Sequence, residues 1–320
     1  MQALYAQLEY ELQRFDAKPK SIETLFIGGG TPSTISPKLY EPIFTLLRPY
    51  MEKEIEITSE ANPNSATAEW LSGMFHLGVN RISFGVQSFN DKKLKLLNRA
   101  HSGEQAKEAI LNAEKAGFKN ISLDLIYATL GDTKELLSND LKTAFSLPIN
   151  HISAYALTIE EGTAFASKPQ MSKETLNLTS WLFKEIKKQN FKQYEISNFG
   201  TYQSRHNLGY WLYKDYIGVG SGAVGKLNNE RFYPNTILEE YIKNPFDIKV
   251  ETLSKDDKKM EQIFLGFRSC IGVKSELLNI SELKRAQMLV DENKLQFLDG
   301  LFFNSNYLLA DEIALFLSSY

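Results

Sequence analysis

The sequence predicts an α/β fold, a βα barrel or a doubly wound sheet, followed by a small C-terminal α+β domain of winged-helix-like order. Three observations predict it. Apolar runs at 24–29, 54–60, 81–87, 120–128 and 151–159 alternate with helical patterns, a repeat of about 30 residues that suits parallel strands joined by crossover helices. The ends of these runs carry glycine or polar groups, namely Gly28–Thr31, Glu60 and Asn62, Gln87, Asp124, Thr158 and Glu160. In a barrel such ends gather on one rim, where sites form. Beyond Pro245 the pattern changes to helices over 255–268 and 280–289, and then to two apolar runs that turn at Asp299-Gly300 before a terminal helix.

Each element has a local reason. Leu4, Leu8, Leu12 and Phe15 share one face of a first helix, with Glu9 and Glu11 turned away from it. Helices are expected from Pro37 and over 67–77, 103–117 and 133–146, between the five strands. After Gly162 the alternation weakens: a helix over 173–189 leads to a strand over 193–199 and then to SRHNLGYWLYKDYIGVGSGAVG (204–225), rich in aromatics and glycine.

Composition narrows the function classes. The 320 residues are 43% hydrophobic and 23% charged, ordinary values for a globular protein. A net charge of −3 provides no global positive field to attract nucleic acid. No apolar run approaches the roughly 18 residues that cross a bilayer, and the N-terminus reads as an amphipathic helix, so the cytoplasm is the expected location, with room for peripheral membrane contact. The one cysteine, Cys270, supplies neither a disulfide nor a thiolate set for zinc or an iron–sulfur cluster.

Three groups of residues carry chemistry. FIGGGTPS (26–33) places three glycines after a strand, where unshielded backbone N–H groups can approach a ligand, although a ligand-free tight turn uses the same residues. Neither a nucleotide P-loop nor a GxGxxG pattern follows. Glu60, Gln87, Arg99 and Asp124 form the second group: carboxylates can accept ribose hydroxyls and a guanidinium can fork onto a carboxylate, or each can serve as a strand-end hydrogen bond. The third is His206-Asn207-Leu208-Gly209-Tyr210-Trp211, where an imidazole could ligate iron and the aromatics flank a planar ligand, or the histidine could bond within an aromatic core. His76, His101 and His151 read as loop or strand-start residues. Ser33 and Ser197 have no base at a recognisable spacing.

Together FIGGGTPS, SEANPNS (59–65), RISFGVQSFND (81–91), LLNRAH (96–101), DLIYA (124–128), HISAYALTIEEGT (151–163), YEISNF (194–199) and HNLGYW (206–211) span most of the chain. In these motifs it resembles the radical S-adenosylmethionine (SAM) family related to oxygen-independent coproporphyrinogen III oxidase, and within it the HemW branch of haem chaperones. The resemblance implies that Gly29, Gly30 and Thr31 bind the methionyl end of SAM, that Glu60, Gln87 and Asp124 contact that cofactor, and that Arg99 pairs with its carboxylate. It likewise implies haem as ligand at His206, Asn207, Tyr210 and Trp211, with His206 on the iron, and an unidentified haem-acceptor protein as partner. No catalytic residue is assigned. The expected domains are a partial barrel over 1–200, the aromatic segment and its connection over 201–250, and a C-terminal domain over 251–320.

Two departures stand out. Ala128-Thr129-Leu130-Gly131 replaces the family's Gly-Leu-Pro type of turn. The family's first strand and its CxxxCxxC loop, which holds a 4Fe–4S cluster, are absent, so roughly 40 residues are expected to be missing at the N-terminus. The barrel should then be open, with the 24–29 strand at its edge, and this chain should hold no cluster and generate no radical. The competing readings are a radical SAM coproporphyrinogen III oxidase or dehydrogenase in its full-length form, and a cluster-less structural relative.

Overall fold

The computed structural model describes residues 1–159, 162, 165–173 and 176–318. Glu160, expected at a strand end, lies outside the described residues, as do 161 and 163 of the HISAYALTIEEGT motif and 174–175 of the expected helix 173–189.

The first elements are α1 (Gln2–Arg14), β1 (Ile22–Ile27), α2 (Glu41–Leu47), β2 (Met51–Ala61), α3 (Ala68–Leu77), β3 (Arg81–Gln87) and α4 (Asp91–Leu96). They continue with α5 (Gly103–Ala116), β4 (Asn120–Tyr127), α6 (Lys134–Phe145), β5 (His151–Ala156), α7 (Leu176–Lys187), β6 (Lys192–Gln193) and β7 (Asn198–Gly200). The remainder holds α8 (Arg205–Trp211), β8 (Gly225–Leu227), β9 (Glu230–Pro234), α9 (Leu238–Lys243), β10 (Ile248–Thr252), α10 (Lys255–Phe267), β11 (Val273–Lys274), α11 (Ile280–Asp291), β12 (Leu295–Leu298), β13 (Leu301–Asn304) and α12 (Ala310–Ser318). Two compact units form: Thr24–Glu41 with Ile55–Gln203, and Met1–Glu23 with Pro42–Glu54 and Ser204–Tyr320.

The first unit is built on a curled seven-stranded sheet in the order β1-β2-β3-β4-β5-β7-β6, a half-barrel with β1 at one edge. The pairs β2–β3, β3–β4 and β4–β5 are parallel, as crossover helices require. One residue set along these strands is apolar: Ile57, Ile82, Phe84, Ile121, Leu123, Ile152 and Ala154 are all buried. The alternate set is polar, with Glu60, Ser83, Ser122 and His151 aligned across four strands and Asp124 beside Ser153. On α5 the buried Ala106, Ala109, Ile110 and Ala113 form its packing stripe, and the helix contacts β3 and β4. A reciprocal Ser102–Gln105 capping box starts α5 and a left-handed Gly117 ends it.

Several local expectations are corrected. The strand expected over 193–199 is two short strands, β6 and β7, paired antiparallel around a turn, and β7 joins β5 antiparallel. The buried Glu195 carboxylate marks the break, because it accepts the Ser197 N–H at 3.1 Å, while the Ser197 carbonyl still accepts the Ala154 N–H of β5 at 2.8 Å. The helix from Pro37 opens with a single 3₁₀ turn, Pro37–Leu39, before α2. Glu11 does not face water but is buried; Arg14, one helical turn away, pairs with it through Nε at 2.9 Å and a second nitrogen.

In the second unit the buried Gln7 of α1 accepts hydrogen bonds from the Gly220 N–H at 2.8 Å and the Tyr241 hydroxyl at 2.7 Å, so the glycine-rich loop is fastened to the first helix. A three-stranded antiparallel sheet orders β10-β9-β8, and another β11-β13-β12. The latter joins α10, α11 and α12 around Ile263, Phe267, Val273, Leu289, Phe302, Ile313 and Leu317. Its hairpin turns at Asp299 and Gly300, both at positive φ, as a two-residue turn between antiparallel strands favours. No described helix is long and apolar enough to cross a membrane.

Leu123, fully buried in the middle of the apolar face, tests this architecture. Leu123→Ala should cost about 2–5 kcal/mol in urea unfolding followed by circular dichroism. Leu298→Ala, on the exposed side of the hairpin, should change stability by no more than about 0.5 kcal/mol.

Candidate functional site

The polar face of the half-barrel begins at β1. Immediately after it, Gly29 and Gly30 take φ of +72° and +49°, and a Cβ built at either meets nothing within 4 Å, so backbone atoms here lie open to an incoming group. Gly28 is different: a Cβ there would come within 2.5 Å of the Phe26 ring and 3.2 Å of the Glu60 carboxyl carbon. The missing side chain leaves room for the Phe26 ring and, beside it, for Glu60. Glu60 accepts the Gly29 N–H, which opposes the burial that raises its pKa. Thr31 starts a 3₁₀ turn, its carbonyl accepting the Thr34 N–H at 3.0 Å. Ser33 is a fastener, accepting the Asn62 N–H at 2.9 Å and bonding Ser65 at 2.6 Å.

Asp124 lies within β4 rather than at its end, with Ser153 opposite. Burial pushes its pKa up to about 6; the Ser153 hydrogen bond opposes that, the Glu60 charge adds to it, and the Arg81 and Arg99 charges lower it. Glu60, Asp124 and Arg99 are therefore electrostatically one group. Gln87, buried at the end of β3, is paired in register with Leu125, next to Asp124. The structure thus gathers Gly28–Gly30, Glu60, Gln87, Arg99 and Asp124 in one unit.

Residues that the motifs did not single out complete the wall. Tyr155 bonds Ser153 and feels Asp124, Glu195 and Glu60, while burial raises its pKa. Glu195 is pushed up to about 7 by burial, against hydrogen bonds from Ser197 and Asn198. His151 starts β5 as expected, and its buried ring bonds Ser122 at 2.7 Å and Tyr194 at 2.7 Å. Burial, with the Arg81 charge adding, holds it well below its ordinary pKa. The turn at Ala128 to Gly131 has both of these residues at positive φ. It is held by the Thr129 N–H on Asp132 at 2.9 Å and the Leu130 N–H on the Met171 carbonyl at 2.8 Å.

The HNLGYW segment forms α8 in the other unit, and the buried Ser204 caps it by accepting the Asn207 N–H at 3.3 Å. His206 and Tyr210 sit one turn apart, with ring centroids 4.9 Å apart and imidazole Nε2 3.1 Å from the Tyr210 hydroxyl. Tyr210 in turn meets Tyr216 edge-on at 4.8 Å. The Trp211 indole nitrogen is buried without a hydrogen-bond partner among the described residues. Cys270, half-buried, follows α10. No group of three or more His, Cys, Asp or Glu side chains among the described residues is arranged to hold a metal ion.

Asp124 and Glu195 bind their protons more tightly in the folded chain than in the unfolded one. The stability they contribute is complete below the ordinary values of 3.8 and 4.5 and is lost as pH rises through about 6 for Asp124 and about 7 for Glu195. The urea midpoint should fall between about pH 4 and pH 7, and Asp124→Asn, which keeps the neutral shape, should flatten the lower part of that fall.

Residues 4–144 match the sequence model of the Radical SAM superfamily. Heme chaperone HemW of Lactococcus lactis subsp. lactis is 33% identical over 287 residues, covering 85% of this chain and 76% of that protein. Heme chaperone HemW of Haemophilus influenzae is 35% identical over 280 residues, 83% of this chain and 73% of that one. The structure of coproporphyrinogen III oxidase (HemN) from Escherichia coli, a radical SAM enzyme, superposes with a TM-score of 0.81 at 18% identity, over 100% of this chain and 82% of that one. The chain thus has the fold of HemN, and sequence identity that extends over most of both chains settles the lineage: this chain belongs to the HemW family of the radical SAM superfamily.

Proposed function

We propose that this chain is a cytoplasmic haem chaperone, binding haem and passing it to an acceptor protein, with a half-barrel that holds S-adenosylmethionine. The observation that carries the reading is identity with proteins named heme chaperones across most of the chain. The division of labour follows the expected domains, with the barrel over 1–200, the haem segment within 201–250 and the C-terminal domain over 251–320.

The residues of the half-barrel fit a SAM molecule. The open backbone at Gly29 and Gly30, with Thr31 beside it, receives its methionyl end, and the Arg99 guanidinium forks onto its carboxylate. Glu60, Asp124 and the Gln87 amide supply acceptors and a donor for its amine and ribose hydroxyls. When bound, SAM provides the sulfonium from which the superfamily's chemistry starts. A 4Fe–4S cluster does not fit the residues of this chain, which holds one cysteine, Cys270, where such a cluster needs thiolates from several.

Haem is cargo in this reading. His206 supplies the imidazole for iron, and ligation through Nε2 exchanges the Tyr210 hydroxyl contact for a metal bond. Asn207, Tyr210 and Trp211 flank the porphyrin, which gives the unpartnered Trp211 indole N–H a polar group to meet.

Haem titration followed by visible absorbance tests the assignment. His206→Ala should lose most of the haem-dependent absorbance while its far-ultraviolet circular dichroism stays that of the parent. An unchanged titration would return His206 to a role within the aromatic cluster.

A further inference from the structure

Gln87 closes β3 as the middle residue of a three-residue turn: the Ser88 N–H donates to the Val86 carbonyl at 2.8 Å, and Gln87 takes a φ of +67°. A γ-turn of this hand is rare and strained for a residue with a side chain, and such strain persists only where the surroundings over-determine it. The amide nitrogen of Gln87 lies 3.1 Å from where a Cβ of Gly85 would stand. The side chain therefore folds back over a part of the sheet that glycine leaves bare.

Two buried side chains from later in the chain grip this turn from both sides. Asp140 of α6 spends both carboxylate oxygens on it, accepting the Ser88 hydroxyl at 2.7 Å and the Phe89 N–H at 2.8 Å. A buried ion pair between Lys93 and Asp132, 2.8 Å apart, lies close enough to act on the Asp140 charge. On the other side His101 Nε2 is 2.9 Å from the Val86 carbonyl. A carbonyl only accepts, so the ring donates there, and the same Val86 oxygen receives both the turn's own N–H and the imidazole. His101 stands two residues after Arg99, so this bond also ties the Arg99 segment to the Gln87 turn.

We propose that Asp140 and His101 are positioning residues that hold Gln87 in its strained turn, so that its side-chain amide is presented on the polar face beside Asp124. The proposal rests on the reading of that face as the SAM site. It makes a buried carboxylate on a helix, in contact with no ligand, decisive for the geometry of one that is.

The test is calorimetric titration of the full 320-residue chain with SAM, comparing parent and Asp140→Asn in the native and the Gln87→Gly backgrounds. Asp140→Asn keeps the side-chain shape but turns one acceptor into a donor. In the native background it should weaken SAM about tenfold, the loss of one charge-assisted hydrogen bond. In the Gln87→Gly background, where the amide is gone and glycine adopts the turn without strain, it should weaken SAM no further. His101→Gln, whose amide N–H can still reach Val86, should retain more affinity than His101→Leu. Unchanged affinity in Asp140→Asn, or the same loss in both backgrounds, would overturn the proposal. If the parent chain gives no SAM binding, the reading of the site fails, and thermal unfolding judges the clamp alone. Asp140→Asn should then lower Tm less in the Gln87→Gly background than in the native one, and an equal drop in both would overturn it.

Discussion

A sheet of mostly parallel strands normally buries both faces under aliphatic side chains; here one face carries Glu60, Asp124 and Arg81 instead, and the rest of the half-barrel follows from accommodating them. Carboxyls out of water cost free energy unless hydrogen bonds or opposite charges offset the loss. Asp124 receives a hydrogen bond from Ser153 and the fields of two guanidiniums, yet burial still dominates and keeps its pKa near 6. Glu60 receives the Gly29 N–H, and burial dominates there too. Both carboxyls are thus held in place by their partners, while burial keeps each readier to take a proton than a carboxyl in water.

The same economy explains why special backbone clusters on this face. A Cβ at Gly28 would collide with the Phe26 ring and crowd the Glu60 carboxyl. Gly103 has no side chain because a Cβ would fall 2.2 Å from the Phe89 carbonyl oxygen, at the point where α5 starts against the segment that follows Gln87. Apolar packing on one side fixes where the strands run. Close backbone approaches on the other fix where the polar atoms point.

Much of the scaffold was legible in the residues, because burial imposes a period. The run RISFGVQ alternates cleanly and forms β3 over the expected residues, and the Asp299-Gly300 pair turns the hairpin where its left-handed preference placed it. The break at 194–197 was not legible, since apolar residues there read as one strand while the Glu195 carboxylate competes for the backbone. Of the site, the glycine loop and the rim residues were visible as types at strand ends. The network of Ser122, His151 and Tyr194 was not, because its members lie 29 and 43 residues apart and meet only once the strands have paired. Asp140 did leave a signal: it falls on the stripe of Leu137, Leu141 and Ala144, and a charge on an apolar stripe asks for a buried partner. The left-handed backbone at Gln87 left none, for glutamine has no preference that announces it.

The bonds of Gln7 carry a kinetic consequence. They join residue 7 to partners 213 and 234 positions away, so α1 can reach its native surroundings only after most of the polypeptide has been made. The strands from Thr24 to Gln203 pair mainly with near neighbours in sequence and can close as they emerge, whereas the first helix must wait. High contact order of this kind slows the last stage of assembly and leaves an amphipathic segment uncovered meanwhile. The growing chain is then most exposed to misassociation at α1, and its half-barrel is the part that forms early.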